Sequence, residues 1–286
     1  MGTKALLREL GLKPQKALGQ SFLVDSRVLQ RILAAARIDS DDTVLEIGAG
    51  LGTLTQALAE RVRRLVAVEV DERLVVFLRE QLAAFPNTEI VQGDILALNI
   101  AQLLWEEPSQ NAPFKVVANI PYYITSAVLR HLLEMSIRPQ LIVLMVQREV
   151  AQRIAAKQGQ MSILAVSVRF YGRPSVVARV SAQAFYPVPK VDSAIVRIVP
   201  HEQLPLDGDD VAAFFRIVRA GFAQRRKQLR NSLAHGLALP ADGLAEALAA
   251  AGIQEQRRAQ TLSVSEWVRL YRTLSAATDS EMSSAQ

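Results

Sequence analysis

One nine-residue run constrains this chain more than any other. Val44 to Gly52 reads VLEIGAGLG. Aliphatic residues lead into three glycines spaced two apart (Gly48, Gly50 and Gly52), and a helical pattern begins near Thr53. Glycines at such a turn let the backbone bend sharply and approach a ligand closely. The helix that follows offers unpaired N–H groups. A dinucleotide loop needs G-x-G-x-x-G, whose third glycine would fall at position 53. That position is Thr53, so the dinucleotide spacing fails. The spacing is instead E-x-G-x-G-x-G, with Glu46 inside the strand end.

The same rhythm of short β-branched runs and longer helical patterns continues. It predicts strands at 43–47, 65–69, 89–92, 115–119 and 141–147, with helices between them, including 54–61 and 72–84. Strand and helix in repeated alternation imply a parallel sheet covered by helices on both faces. Strand patterns at 175–180 and 193–199 flank the loop QAFYPVPKVD and predict an antiparallel hairpin at the end of the sheet. Beyond Pro200 the pattern is helical at 211–232, 243–251 and 265–274, after a linker HEQLPLDGDD. The expected organisation is an N-terminal segment (1–24), an α/β domain (25–200), a small all-helical domain (207–275) and a disordered polar tail (276–286).

Two acids follow the glycine loop at successive strand ends. Glu69 closes the second strand in AVEVD, and Asp94 follows the third in QGD. A carboxylate at the first position can accept both hydroxyls of a ribose, and one at the second can accept an adenine amino group. Either acid alone would serve as a helix N-cap. In register with the loop, they point to an adenosine-bearing ligand at the carboxyl ends of the strands. S-adenosylmethionine fits: it has a ribose and an adenine, no pyrophosphate, and a sulfonium charge that suits Glu46.

The fourth strand ends in Asn119-Ile120-Pro121-Tyr122. The N6 amine of adenine is a poor nucleophile, because its lone pair is delocalised into the ring. The Asn119 side-chain oxygen and the Ile120 carbonyl can accept its hydrogens and bias it towards tetrahedral geometry. Pro121 fixes the backbone there. Tyr122 offers a ring to stack on an extruded base, an interaction worth ~1–3 kcal/mol. Positioning and electrostatics would carry the rate.

Composition narrows the chemistry further. The 286 residues include no cysteine and three scattered histidines. Thiolate zinc sites, cysteine nucleophiles and C5-pyrimidine methylation through a cysteine adduct are excluded, and no metal is expected. The longest apolar runs, such as 141–146, are too short to span a membrane. The net charge of +5 favours a polyanionic partner. Residues 211–234 hold six basic side chains and no acidic one. As one helix, this segment places Val218, Phe222, Leu229 and Leu233 on one face and Arg219, Arg226 and Arg230 on another. With Arg225 and Lys227, these form the expected RNA-binding surface.

The motifs LGQSFLVD, EIGAGLGTLT, VEVD, GDIL, NIPYYIT, QREVAQR, FYPVPKVDSAIV and RAGFAQRRKQLRNSL together resemble the ribosomal RNA adenine N6-dimethyltransferases, over about 16–274. Within that family the similarity is to the bacterial small-subunit type. The resemblance implies a class-I S-adenosylmethionine-dependent methyltransferase fold, Rossmann-like, with a mostly parallel seven-stranded sheet and a helical C-terminal domain. It implies that Gln20, Ser21 and Leu23 close over the cofactor, that Gly48 contacts its amino-acid part, and that Glu69, Asp94 and Asn119 hold the remainder. Phe185 is expected to pack on the target base opposite Tyr122. The implied substrate is a pair of adjacent adenosines in a hairpin loop near the 3′ end of 16S rRNA, within immature 30S particles. A cytoplasmic monomer that also acts as a late assembly checkpoint is expected. Rival readings are an assembly factor that only binds, the related methyltransferases of large-subunit rRNA, and a DNA adenine methyltransferase. The RKQLRNSL run favours the small-subunit enzyme, and no separate DNA-reading module is evident.

Overall fold

The computed structural model describes residues 3–15, 17–105, 112–224 and 226–284. The chain divides into two compact units: Met1–Gln152 with Gly172–Pro200, and Arg153–Tyr171 with His201–Gln286.

The first unit opens with α1 (Thr3–Glu9), β1 (Phe22–Leu23) and α2 (Ser26–Ala36). There follow β2 (Thr43–Ile47), α3 (Thr53–Ala59), β3 (Arg64–Glu69), α4 (Glu72–Gln81), β4 (Thr88–Gln92) and α5 (Ile100–Leu104). Next come β5 (Lys115–Asn119), α6 (Thr125–Glu134), β6 (Leu141–Gln147) and α7 (Arg148–Ile154). The helix α8 (Ile163–Tyr171) belongs to the second unit, after which β7 (Gly172–Val180), β8 (Phe185–Tyr186) and β9 (Ser193–Pro200) complete the first.

Seven strands form one sheet in the order β4-β3-β2-β5-β6-β9-β7. The first five pair in parallel. The expected hairpin, β7 and β9, adds antiparallel to β6. Every residue of β2 is buried, as is most of β3 and β6, because central parallel strands are covered and read as continuous apolar runs. Inside the hairpin loop lies β8, which the sequence reading did not separate. It pairs antiparallel with β1, Leu23 opposite Phe185. From β2 the chain builds outward through β3 to β4, then returns to the other side of β2 with β5. The strand order therefore reverses between β2 and β5, where such sheets open a crevice for ligands. Asp71 at the start of α4 and Asp25 at the start of α2 cap their helices by accepting backbone N–H groups from Arg73 and Arg27.

The second unit gathers α8 with α9 (Asp209–Phe222), α10 (Leu229–Leu237), α11 (Ala241–Ala250) and α12 (Val264–Ser284). Three expectations are corrected here. The segment 153–171, expected in the α/β domain, joins the helical unit because its aromatic end packs there: Phe170 stacks on Phe214 at 4.9 Å, and Tyr171 on Phe215 at 6.0 Å. The helix expected over 211–232 is two helices, the first ending at Phe222 and the second beginning at Leu229. One turn beyond Phe222, a continuous helix would carry Arg225 onto the face it shares with Leu229. Burying an unpaired guanidinium there is costly. Gln228 is extended instead, and Leu229 enters α10 fully buried with its N–H donated to the Arg257 carbonyl. Gly221 lies inside α9. A Cβ there would collide with the fully buried Trp267 ring, so close packing requires the glycine. Third, α12 continues to Ser284 through most of the stretch read as a disordered tail. Among the described residues no helix is long and apolar enough to cross a membrane.

Candidate active site

At the carboxyl end of β2 the three glycines adopt φ of 78°, 61° and 80°, left-handed values that a side chain would strain. The Gly48 N–H donates to the Val68 carbonyl at 2.9 Å, tying the loop to β3. The Gly50 N–H donates to Glu69 Oε2 at 2.8 Å. Glu69 Oε1 accepts from the N–H groups of Val70 and Asp71 at 2.9 and 3.0 Å. Burial pushes the Glu69 pKa up, and these three donors pull it back in part. A carboxylate has about four acceptor positions, so roughly one remains for a ligand. Glu69 was expected to accept two ribose hydroxyls, but the backbone already claims most of its capacity.

Glu46 is the most unusual group at the site. It is 1% exposed, and neither carboxyl oxygen has a hydrogen-bond partner among the described residues. Burial pushes its pKa up to about 8; nearby Thr55, whose own hydroxyl is unpartnered, offsets only part of this, and Glu69 adds to it. An orphaned buried carboxyl facing a cavity is a position that a cationic or donor-bearing ligand would satisfy.

Asp94 follows β4 and is exposed. Its Oδ1 accepts the Leu96 N–H at 3.0 Å, so it organises its own turn while also lining the cavity.

Asn119 ends β5, and its side-chain amide makes no hydrogen bond to another described residue. Ile120 is buried, and Pro121 is extended at φ −55°, ψ 136°. Tyr122 begins a 3-10 turn, Tyr122–Ile124. Its hydroxyl lies 2.6 Å from Ser193 Oγ on β9, which fixes the ring. Burial raises the Tyr122 pKa, and Ser193 moderates that. Phe185 on β8 is 2% exposed and lines the same cavity.

The N-terminal segment forms another wall. Gln20 donates from Nε2 to Asp71 Oδ2 at 2.8 Å and accepts from the Gln15 N–H at 2.8 Å, so its amide anchors the segment to the head of α4. Arg73, then Gln20, hold the Asp71 carboxyl below its ordinary pKa. Ser21 Oγ donates to the Pro187 carbonyl at 2.7 Å. Leu23 is buried, and Phe22 covers Gly50, where a Cβ would lie 3.3 Å from its ring.

All eleven residues expected at the cofactor and target sites line one cavity of about 310 Å³, together with Glu46 and Gly50. Two contributors escaped the sequence reading. Asp71 holds Gln20, and its only signal was a helix N-cap position after VEV. Ser193 tethers Tyr122, and nothing local marked it.

The expected RNA surface forms only in part. Arg219 on α9 and Arg226 and Lys227 in the turn are exposed. Arg230 is half-buried, paired with Glu255 at 2.7 Å, and so is not a free cation. Arg225 lies outside the described residues.

A mostly parallel seven-stranded sheet with this glycine loop at its reversal point defines a class-I S-adenosylmethionine-dependent methyltransferase. The family model for ribosomal RNA adenine dimethylases matches residues 11–276, and the chain belongs to that family. It is 47% identical over 267 residues to a protein of Dehalococcoides mccartyi named ribosomal RNA small subunit methyltransferase A, covering 93% of this chain and 90% of that one. A protein of the same name from Moorella thermoacetica is 42% identical over 278 residues, covering 95% and 96%. Among solved structures, the 23S rRNA methyltransferase ErmE is 32% identical with a TM-score of 0.71, covering 89% of this chain and 99% of that one. A dimethyladenosine transferase of Plasmodium falciparum is 25% identical with a TM-score of 0.76, covering 87% and 95%.

Proposed function

We propose that the protein dimethylates N6 of two adjacent adenosines in a hairpin loop near the 3′ end of small-subunit rRNA. It does so in the cytoplasm, as a monomer, on immature 30S particles, and its binding doubles as a late assembly checkpoint. The observation that carries this reading is the convergence of the eleven expected residues on one cavity at the sheet's reversal point.

S-adenosylmethionine supplies an electrophilic methyl group when bound. The orphaned Glu46 carboxyl suits its sulfonium charge, and the close backbone approach at Gly48 suits its amino-acid end. Glu69 would use its remaining acceptor position on the ribose, and Asp94 would accept from the adenine amine. Gln20, Ser21 and Leu23 shield the site from water. On the substrate side, the Asn119 side-chain oxygen and the Ile120 carbonyl would accept the N6 hydrogens and position the nitrogen in the cavity. The N6 proton would become acidic only once the nitrogen is alkylated and would then be released to solvent, so no strong base is required. Tyr122, held by Ser193, and Phe185 bracket the extruded base. The helical unit engages rRNA through Arg219, Arg225, Arg226 and Lys227, with Arg230 set towards Glu255 instead.

The test is incubation with labelled S-adenosylmethionine and undermethylated small subunits, then mapping of the modified bases. Label at two adjacent adenosines as N6,N6-dimethyladenosine supports the reading. Label confined to large-subunit rRNA, as the ErmE likeness would allow, or no transfer, contradicts it.

A further inference from the structure

A second concavity lies in the first unit, beside the wall of the active-site cavity. It is lined by Asp25, Arg27 and Arg31 of the α2 region, and by Arg179, Gln183 and Ala184 of the β7–β8 segment. The active-site wall here is the β1–β8 pair, Leu23 opposite Phe185. The groove continues both strands: the Val24 N–H donates to the Ala184 carbonyl at 2.8 Å, and Asp25 is the next residue. Two residues of extended chain, roughly 7 Å, separate the pocket lining at Leu23 from the groove lining at Asp25.

Its charge is lopsided. Arg27 spends its guanidinium on Asp25, at 2.9 Å. Arg31, one turn further along α2, and Arg179, on the edge strand β7, are both exposed, and neither has a carboxylate partner among the described residues. Two unneutralised guanidiniums facing one concavity form a fork-shaped donor set that matches phosphate oxygens. Neither the cofactor pocket nor the proposed chemistry uses them.

We propose that this groove holds the sugar-phosphate backbone of the RNA strand one or two nucleotides from the adenosine that enters the pocket. The inference rests on the function proposed above. Arg31 and Arg179 grip the flanking phosphates, and the β1–β8 ridge turns the strand so that one base falls towards Phe185 and Tyr122. These arginines are positioning residues, because they touch the flanking backbone and not the reacting atoms.

The test uses the full-length protein, undermethylated small subunits as probe, and the pair Arg31→Gln with Arg179→Gln. Affinity for S-adenosylmethionine and the thermal midpoint should match the parent. KM for subunits should rise about tenfold while kcat stays within about twofold. The slope of log affinity against log salt should flatten by ~1.4–1.8, for two lost phosphate contacts. The pair Arg31→Lys with Arg179→Lys should restore most of that slope. An unchanged slope and KM in the glutamine pair, with a parent that methylates subunits, overturns the groove alone. Loss of cofactor affinity in the glutamine pair also overturns it, since the arginines would then act through the fold. A parent that fails to methylate subunits instead refutes the function on which the inference rests.

Discussion

Gly48 and Asn119 meet across the point where the sheet reverses its strand order: a Cβ on Gly48 would stand 3.2 Å from the Asn119 carbonyl oxygen. The cofactor loop and the target-binding strand end are therefore one packed unit. Gly48→Ala should damage both. Its φ of 78° imposes a strain of ~1–2 kcal/mol on a side chain, and the methyl group crowds Asn119. Calorimetry should find affinity for S-adenosylmethionine reduced about tenfold or more. Parent-like affinity would mean that the loop does not approach the ligand.

Glu69 has two jobs, and two substitutions separate them. Glu69→Ala strands three backbone N–H groups, at ~1–3 kcal/mol for each donor left buried, so the thermal midpoint should fall along with cofactor affinity. Glu69→Gln keeps an acceptor for the backbone and loses the charge. It should stay folded and bind S-adenosylmethionine about 10- to 100-fold more weakly. Equal affinity in the glutamine variant would remove Glu69 from the cofactor site.

Glu46 predicts a pH dependence. Its folded pKa of about 8 lies above its ordinary value of 4.5. A raised carboxyl pKa means that stability is full below the ordinary value and erodes as pH climbs through the folded one. Between pH 4.5 and 8 the ligand-free protein should lose stability from this group, with a slope of up to ~1.4 kcal/mol per pH unit. Urea unfolding across that window should show a flatter profile for Glu46→Gln. Parallel profiles would mean that the carboxyl ionises without penalty.

Arg226 and Lys227 are exposed, whereas Arg230 is committed to Glu255. Neutralising Arg226 and Lys227 together should therefore flatten the salt dependence of subunit binding by ~1.4–1.8 in log–log slope. Arg230→Gln alone should change it little. The reverse ranking would place the RNA contact on α10 rather than in the turn before it.

Much of this was legible in the sequence for identifiable reasons. The strands β2, β5 and β6 have the bounds expected of them, because continuous apolar runs ending in Gly, Asn-Ile-Pro or Gln-Arg leave little choice. The three glycines were expected to let the backbone bend sharply, and all three adopt left-handed φ values. The break between α9 and α10 was missed because Val218, Phe222, Leu229 and Leu233 fit one helical face. That spacing hides the arginines lying in the gap. The supports of the site were invisible for another reason. Tyr122 and Ser193 are 71 residues apart and Gln20 and Asp71 are 51 apart, so only the folded chain brings their hydrogen bonds together.

Single-turnover methylation of undermethylated small subunits at saturating S-adenosylmethionine measures whether Asn119 positions the amine for methyl transfer. Asn119→Ala should bind cofactor and subunits nearly as the parent does, since the contact it loses strengthens chiefly in the transition state. Its rate constant should fall ~100- to 1000-fold, the usual loss for one preorganised polar contact. Tyr122→Ala should also weaken capture of the extruded base, whereas Tyr122→Phe keeps the ring and loses only the Ser193 tether, so it should remain active. A near-parental rate constant for Asn119→Ala would contradict the account, because the chemistry would then be centred elsewhere in the cavity.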